Sequence, residues 1–125
     1  MEGAKVKKFE GATKRYVQLL DLKNSPELLQ AYRYQHSPEG AWPEIIAGIR
    51  EVGILEMELY LEGNHAVMIV EAAEDFDWDA AMARLATLPR QQEWEDVNAK
   101  FQDCKPGSTS DEKWRATERI FHLYD

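Results

Sequence analysis

The stretch LEMELYLEGNHAVMIVEA, residues 55–72, decides the fold. Its first half alternates, with Leu55, Met57, Leu59 and Leu61 on one side and Glu56, Glu58, Tyr60 and Glu62 on the other. That period of two sends successive side chains of a strand to opposite faces of a sheet. Gly63-Asn64 supplies a two-residue hairpin turn,. Ala66 to Ala72 is more continuously apolar, as a strand covered on both faces must be,. The spacing therefore predicts two antiparallel strands, the second more central than the first.

Upstream, RYVQLLDL (residues 15–22) reads as another short strand, ending at a turn in which Ser25 can cap a helix that Pro26 begins,. From there Leu28, Tyr32 and His36 recur along one side at helical spacing, beside Leu29,. The run breaks at Ser37-Pro38-Glu39-Gly40 and restarts at Trp42-Pro43, where Trp42, Ile45, Ile46, Ile49 and Val52 repeat the pattern until Gly53 ends it,. Downstream, acidic Asp75 to Asp79 opens a helix with Trp78, Met82 and Leu85 as its stripe, interrupted by Pro89,. A further helical piece from about Arg90 to Gln102 aligns Trp94, Val97 and Phe101. Cys104 to Lys113 reads as a polar loop and Trp114 to Tyr124 as a last strand,. The order β, α, β, β, α, β predicts an α+β, ferredoxin-like βαββαβ domain with a four-stranded antiparallel sheet and helices on one face. A second copy of the chain is the economical cover for the other face, so a homodimer is expected.

The chain of 125 residues fits one domain able to bury a core without staples, and 44% hydrophobic with 30% charged residues is a globular composition,. A formal charge of −8 argues against nucleic-acid and anionic membrane partners, which need clustered Lys and Arg,. Cys104 stands alone, which excludes an internal disulfide or a cysteine zinc cluster and makes a reducing cytoplasm the simplest home,. Residues 1–14 match neither a secretory signal nor a membrane span and read as a mobile tail ahead of a single domain over 15–125,. Phosphate-loop, dinucleotide, zinc-protease and serine-hydrolase motifs do not occur, nor does a ligand cluster at metal spacing, so nucleotide, zinc and serine-hydrolase chemistry is not expected,.

His36 is the leading candidate for chemistry, because imidazole exchanges a proton near neutral pH. At a helix C-terminus the negative dipole end favours imidazolium, which would make it a proton donor; a histidine that merely caps the helix is the alternative. Tyr32, one turn earlier, offers an aromatic face and a hydroxyl, or else packs as an ordinary amphipathic core residue. Tyr60 shares its strand face with Glu58, where solvent or a polar ligand could meet it. Trp42, Trp78, Trp94 and Trp114 could stack on sugar C–H faces, although tryptophan at helical spacing is usually core. Glu44, Glu56, Glu58 and Glu71 receive no role in so acidic a chain.

With Tyr32, His36, Trp42-Pro43-Glu44, MELYLEGN (57–64) and QEWEDVNAKF (92–101) in view, the chain resembles the L-rhamnose mutarotase family, particularly its L-fucose branch, over about Tyr16 to Leu123. The resemblance implies a cofactor-free ferredoxin-like homodimer, a dimeric α/β barrel, that interconverts the α and β anomers of a 6-deoxy hexose such as L-fucose or L-rhamnose. It implies His36 as catalytic proton donor and Tyr32, Tyr60 and Trp94 as contacts to a monosaccharide. The sequence departs from the family pattern twice: Glu93 stands where a second tryptophan would precede Trp94, and Ser37 to Ala41 is a small insertion at the pocket rim. The competing readings are a cofactor-independent monooxygenase and a non-catalytic metabolite-binding dimer on the same scaffold.

Overall fold

The computed structural model describes residues 1–124; Asp125, the last residue of the expected domain, lies outside them. Four strands and five helices follow in the order β1 (Thr13–Asp21), α1 (Pro26–Gln35), α2 (Pro43–Glu51), β2 (Ile54–Glu62), β3 (His65–Ala73), α3 (Trp78–Leu85), α4 (Gln91–Asn98), α5 (Ser110–Lys113) and β4 (Arg115–Ala116). The strands form one antiparallel sheet in the order β2-β3-β1-β4, which is the ferredoxin-like arrangement the alternating hairpin predicts,. Gly63, at φ 58, takes the first position of the hairpin turn, where the left-handed backbone matches the twist of the flanking strands,.

Side-chain parity divides the sheet. Leu20, Ala66, Met68, Val70 and Ala72 turn towards the helices and are buried with Leu29, Tyr32, Met82 and Leu85. Val17, Leu19, Val67, Ile69 and Tyr60 alternate with them and form the opposite face, which among the described residues is half-buried to exposed,. Leu55 departs from the expected alternation. A bulge between Ile54 and Glu56 makes Leu55 the extra residue, so Ile54 takes the buried place and Leu55 is 41% exposed,.

Three further differences concern the C-terminal third. Helix α4 stops at Asn98, and a tighter turn carries the chain to Gln102, which bridges to Leu22,. The expected loop contains a helical turn, α5, because Thr109 and Glu112 form a reciprocal capping box,. The last strand is two residues long instead of running to Tyr124. The amide and the hydroxyl of Thr117 both donate to the Val17 carbonyl, the last hydrogen bonds of this segment with β1 among the described residues. Beyond it Ile120, Phe121, Leu123 and Tyr124 are 72–88% exposed.

Candidate active site

Between the sheet and helices α1, α2 and α4 lies a cavity of about 600 Å³, within the range of small-molecule sites,. Its first wall begins with α1. Ser25 caps that helix and Pro26 starts it, and the turn-by-turn spacing brings Tyr32 and His36 to the cavity together, with ring centroids 4.3 Å apart,. The chain then makes the sharp Ser37–Ala41 turn, in which Ser37 Oγ donates to the Tyr34 carbonyl and the Ser37 carbonyl accepts from Gly40 and Ala41. Gly40 is required there, because any Cβ would overlap the Tyr34 carbonyl. This turn thus folds onto the end of α1 and delivers Trp42 to the rim, edge-on to Trp94 at 5.1 Å.

The histidine's protonation follows from one contact. His36 Nδ1 lies 2.8 Å from the Tyr32 carbonyl, and since a carbonyl only accepts, Nδ1 carries the hydrogen,. In the neutral ring Nε2 is then a bare acceptor. Desolvation between Tyr32 and Trp94 pushes the imidazole pKa below its ordinary value, with the Tyr32 carbonyl opposing more weakly,. At neutral pH His36 is therefore uncharged, and the helix-end dipole expected to favour imidazolium is outweighed by burial of the ring. Tyr32 is only 2% exposed, and burial pushes its phenol up to about 12, the Gln102 amide beside it opposing. At rest it is a neutral hydroxyl.

Helix α4 forms the second wall and inverts the expected pattern. The stripe Trp94, Val97 and Phe101 is only partly buried, whereas Gln91, Glu95, Asn98 and Gln102 are 2–6% exposed and line the cavity. Their spacing of four, three and four residues is a helical stripe made of polar side chains, which a search for apolar periodicity passes over. Lys113, at the end of α5, explains how a carboxylate can lie there. Its fully buried ammonium meets Glu95 Oε2 at 3.1 Å and the Glu95 carbonyl at 2.6 Å, while Gln91 Nε2 donates to Oε1. Burial drives the Glu95 carboxyl pKa up; the Lys113 charge and these hydrogen bonds act against it,. Ser110, in the segment expected to be a polar loop, and Trp114 just after it thus line the cavity, with Lys113 buried against Glu95.

Of the residues singled out from sequence, His36, Tyr32 and Trp94 meet at this cavity and Tyr60 does not. Its hydroxyl donates to Glu58 on the uncovered face of the sheet. The cavity side of β2 presents Met57, Leu59 and Leu61 instead. Strand parity already placed Tyr60 opposite these residues. Glu93 is outside the lining too. It pairs with Arg90, whose guanidinium stacks 4.0 Å above Trp42 and also reaches Glu44, so Glu93 braces the cavity-lining Trp42 from outside through an Arg-on-Trp stack,. Among the described residues no three His, Cys, Asp or Glu side chains are grouped to hold a metal ion, and no helix is long and apolar enough to cross a membrane.

Comparison with known proteins adds relatives to this geometry. The family model described as L-rhamnose mutarotase matches residues 15–123. An L-fucose mutarotase of Xanthomonas campestris is 40% identical over 109 residues, 87% of each chain. A UPF0734 protein of Dictyostelium discoideum is 32% identical over 114 residues, covering 88% of this chain and 90% of that one. The crystal structure of an L-rhamnose mutarotase from Formosa agariphila superposes with a TM-score of 0.66 at 19% identity, covering 88% of this chain and 98% of the other, and so shares the fold.

Proposed function

Because this chain belongs to the L-rhamnose mutarotase family, we propose that it is an isomerase interconverting the α and β anomers of a 6-deoxy hexose, L-fucose or L-rhamnose. The observation that carries this reading is the meeting of His36, Tyr32, Trp42 and Trp94 around one cavity with unlike walls. Trp42, Trp94, Ile45 and Met57 suit the C–H faces and the methyl group of a deoxy sugar. The α4 wall suits its hydroxyls. An oxygenase acting on an aromatic substrate would have no use for a wall of buried Glu95, Asn98 and Gln102.

Anomer exchange needs a base at the anomeric hydroxyl and an acid at the ring oxygen. Neutral His36 supplies the base: Nε2 takes the proton from O1 as the C1–O5 bond breaks and the C1 carbonyl forms. The Tyr32 hydroxyl donates to the ring oxygen and recovers its proton on closure. When the ring closes on the other carbonyl face, the imidazolium returns its proton to O1, and no atom is gained or lost. Trp94 packs edge-on against the imidazole and holds its plane. Positioned acid–base groups are typically worth about two to four powers of ten in rate.

The uncovered sheet face, with Val17, Leu19, Val67, Ile69 and Tyr60, is the surface of a homodimer in this reading, and the exposed Ile120–Tyr124 segment adds to it,. Tyr60 serves that face and not the sugar of its own chain. The single unpaired Cys104 suits the cytoplasm,. Exchange NMR at the anomeric protons of L-fucose and L-rhamnose tests the activity. Cross-peaks that grow with protein concentration are expected for at least one sugar, and exchange at the water rate for both would refute it.

A further inference from the structure

The α4 wall holds two kinds of buried polar side chain. Both oxygens of Glu95 are occupied, by Lys113 and by Gln91. Asn98 Oδ1 and Gln102 Oε1 have no partner, although their residues are 2% and 4% exposed, and the Tyr32 hydroxyl beside them is also unpaired. A folded chain rarely leaves such atoms bare unless a ligand or water completes them. All three residues line the cavity, with the unpaired atoms themselves just below its surface, so a ligand meets them only when the side chains turn outward; Gln18 Oε1, unpaired as well, belongs to a residue outside the lining.

Both residues are anchored. Asn98 Nδ2 donates to the Trp94 carbonyl at 3.0 Å, which leaves its oxygen free to accept. Gln102 is anchored through its backbone bridge to Leu22, so its side chain starts from a fixed point. Behind them Lys113 ties α4 to the end of α5 through the Glu95 carbonyl and carboxylate. The unpaired oxygens are acceptors only, so their partners must be donors. A sugar hydroxyl is such a donor; a methyl group or a ring C–H is not.

We propose that Asn98 and Gln102 are specificity-determining residues whose side-chain oxygens accept hydrogen bonds from two ring hydroxyls of the sugar. The proposal rests on the mutarotase reading and deepens it: His36 and Tyr32 work at C1 and the ring oxygen, while Asn98 and Gln102 read hydroxyls remote from the reacting bond. The subsite selects against sugars deoxygenated at the positions it reads, because a deoxy analogue leaves a buried acceptor bare. It does not select by charge, since Glu95 is already neutralised by Lys113.

The test measures binding of L-fucose and its 2-deoxy, 3-deoxy and 4-deoxy analogues by titration calorimetry, alongside exchange NMR, for the wild type, Asn98→Leu and Gln102→Met. In the wild type, losing a hydroxyl that the subsite reads should weaken binding about ten- to a hundredfold. Gln102→Met should bind L-fucose correspondingly worse, with a raised KM and little change in kcat, and should no longer distinguish one deoxy analogue from the parent. Asn98→Leu should become blind to a different one. A wild type that tolerates every deoxy sugar within about twofold overturns the subsite. Variants that weaken all four sugars equally do the same. Should either variant fail to fold, the wild-type analogue series alone decides. A wild type that speeds no anomer exchange overturns the mutarotase reading and the subsite with it, whereas an active wild type indifferent to deoxygenation overturns only the subsite.

Discussion

The two faces of the sheet carry one tyrosine each of the pair marked out from sequence, and the contrast between Tyr32 and Tyr60 explains how the molecule makes a site. Both phenols hold their protons more tightly than usual, for different reasons. Tyr32 does so because it is buried against the sheet beneath the helices, and Tyr60 because it donates to the Glu58 carboxylate in the open. The first is a product of desolvation, which also keeps His36 neutral. The second is a surface contact that needs no cavity. A hydroxyl acquires chemical use here from the company of an imidazole, two indoles and unpaired amides, all on the helix-covered side.

That contrast can be broken from either face. On the covered face, His36→Ala should cost the largest amount, about 10²- to 10⁴-fold in the catalysed exchange rate of a folded protein. An unchanged rate would move the chemistry elsewhere. Next, Lys113→Met leaves the Glu95 carboxylate buried and alone, and should destabilise the fold by about 3–5 kcal/mol in urea unfolding. Pairing it with Glu95→Gln should restore much of the loss. A single variant as stable as the wild type would mean that water reaches Glu95. On the open face, Tyr60→Phe should leave the exchange rate and Tm as they are, since only the Glu58 contact is lost; a steep fall in rate would show that Tyr60 reaches a sugar after all.

How far the sequence foresaw this depends on the kind of signal. The β2–β3 hairpin was legible because period-two alternation and Gly63-Asn64 are both local,. His36, Tyr32 and Trp94 were legible as single residues, and their meeting was implied by resemblance alone; only coordinates show side chains of α1 and α4 at one cavity. Tyr60 was misplaced although its own alternation with Leu59 and Leu61 held the answer, because the leucine face is the one the helices cover. Gln91, Glu95, Asn98 and Gln102 were missed for a deeper reason. Burial is inferred from apolar periodicity, and a polar site reverses that rule where a ligand or a buried cation supplies the partners. The role of Lys113 depends on an ion pair 18 residues distant in sequence, which no local pattern announces.

The direction of the His36 pKa carries the account, since it decides whether the imidazole waits as acceptor or as donor. A catalytic base must be unprotonated, so catalysed exchange should be present at neutral pH and above and should fall as pH drops through a pKa below 6.5, the ordinary histidine value,. The direct measurement is the pH profile of L-fucose anomer exchange by wild-type protein, corrected for the uncatalysed rate at each pH. A plateau through pH 7 with an acid limb below 6.5 is the expected result. A rate that climbs as the solution is acidified through that range would identify imidazolium as the working form and contradict it.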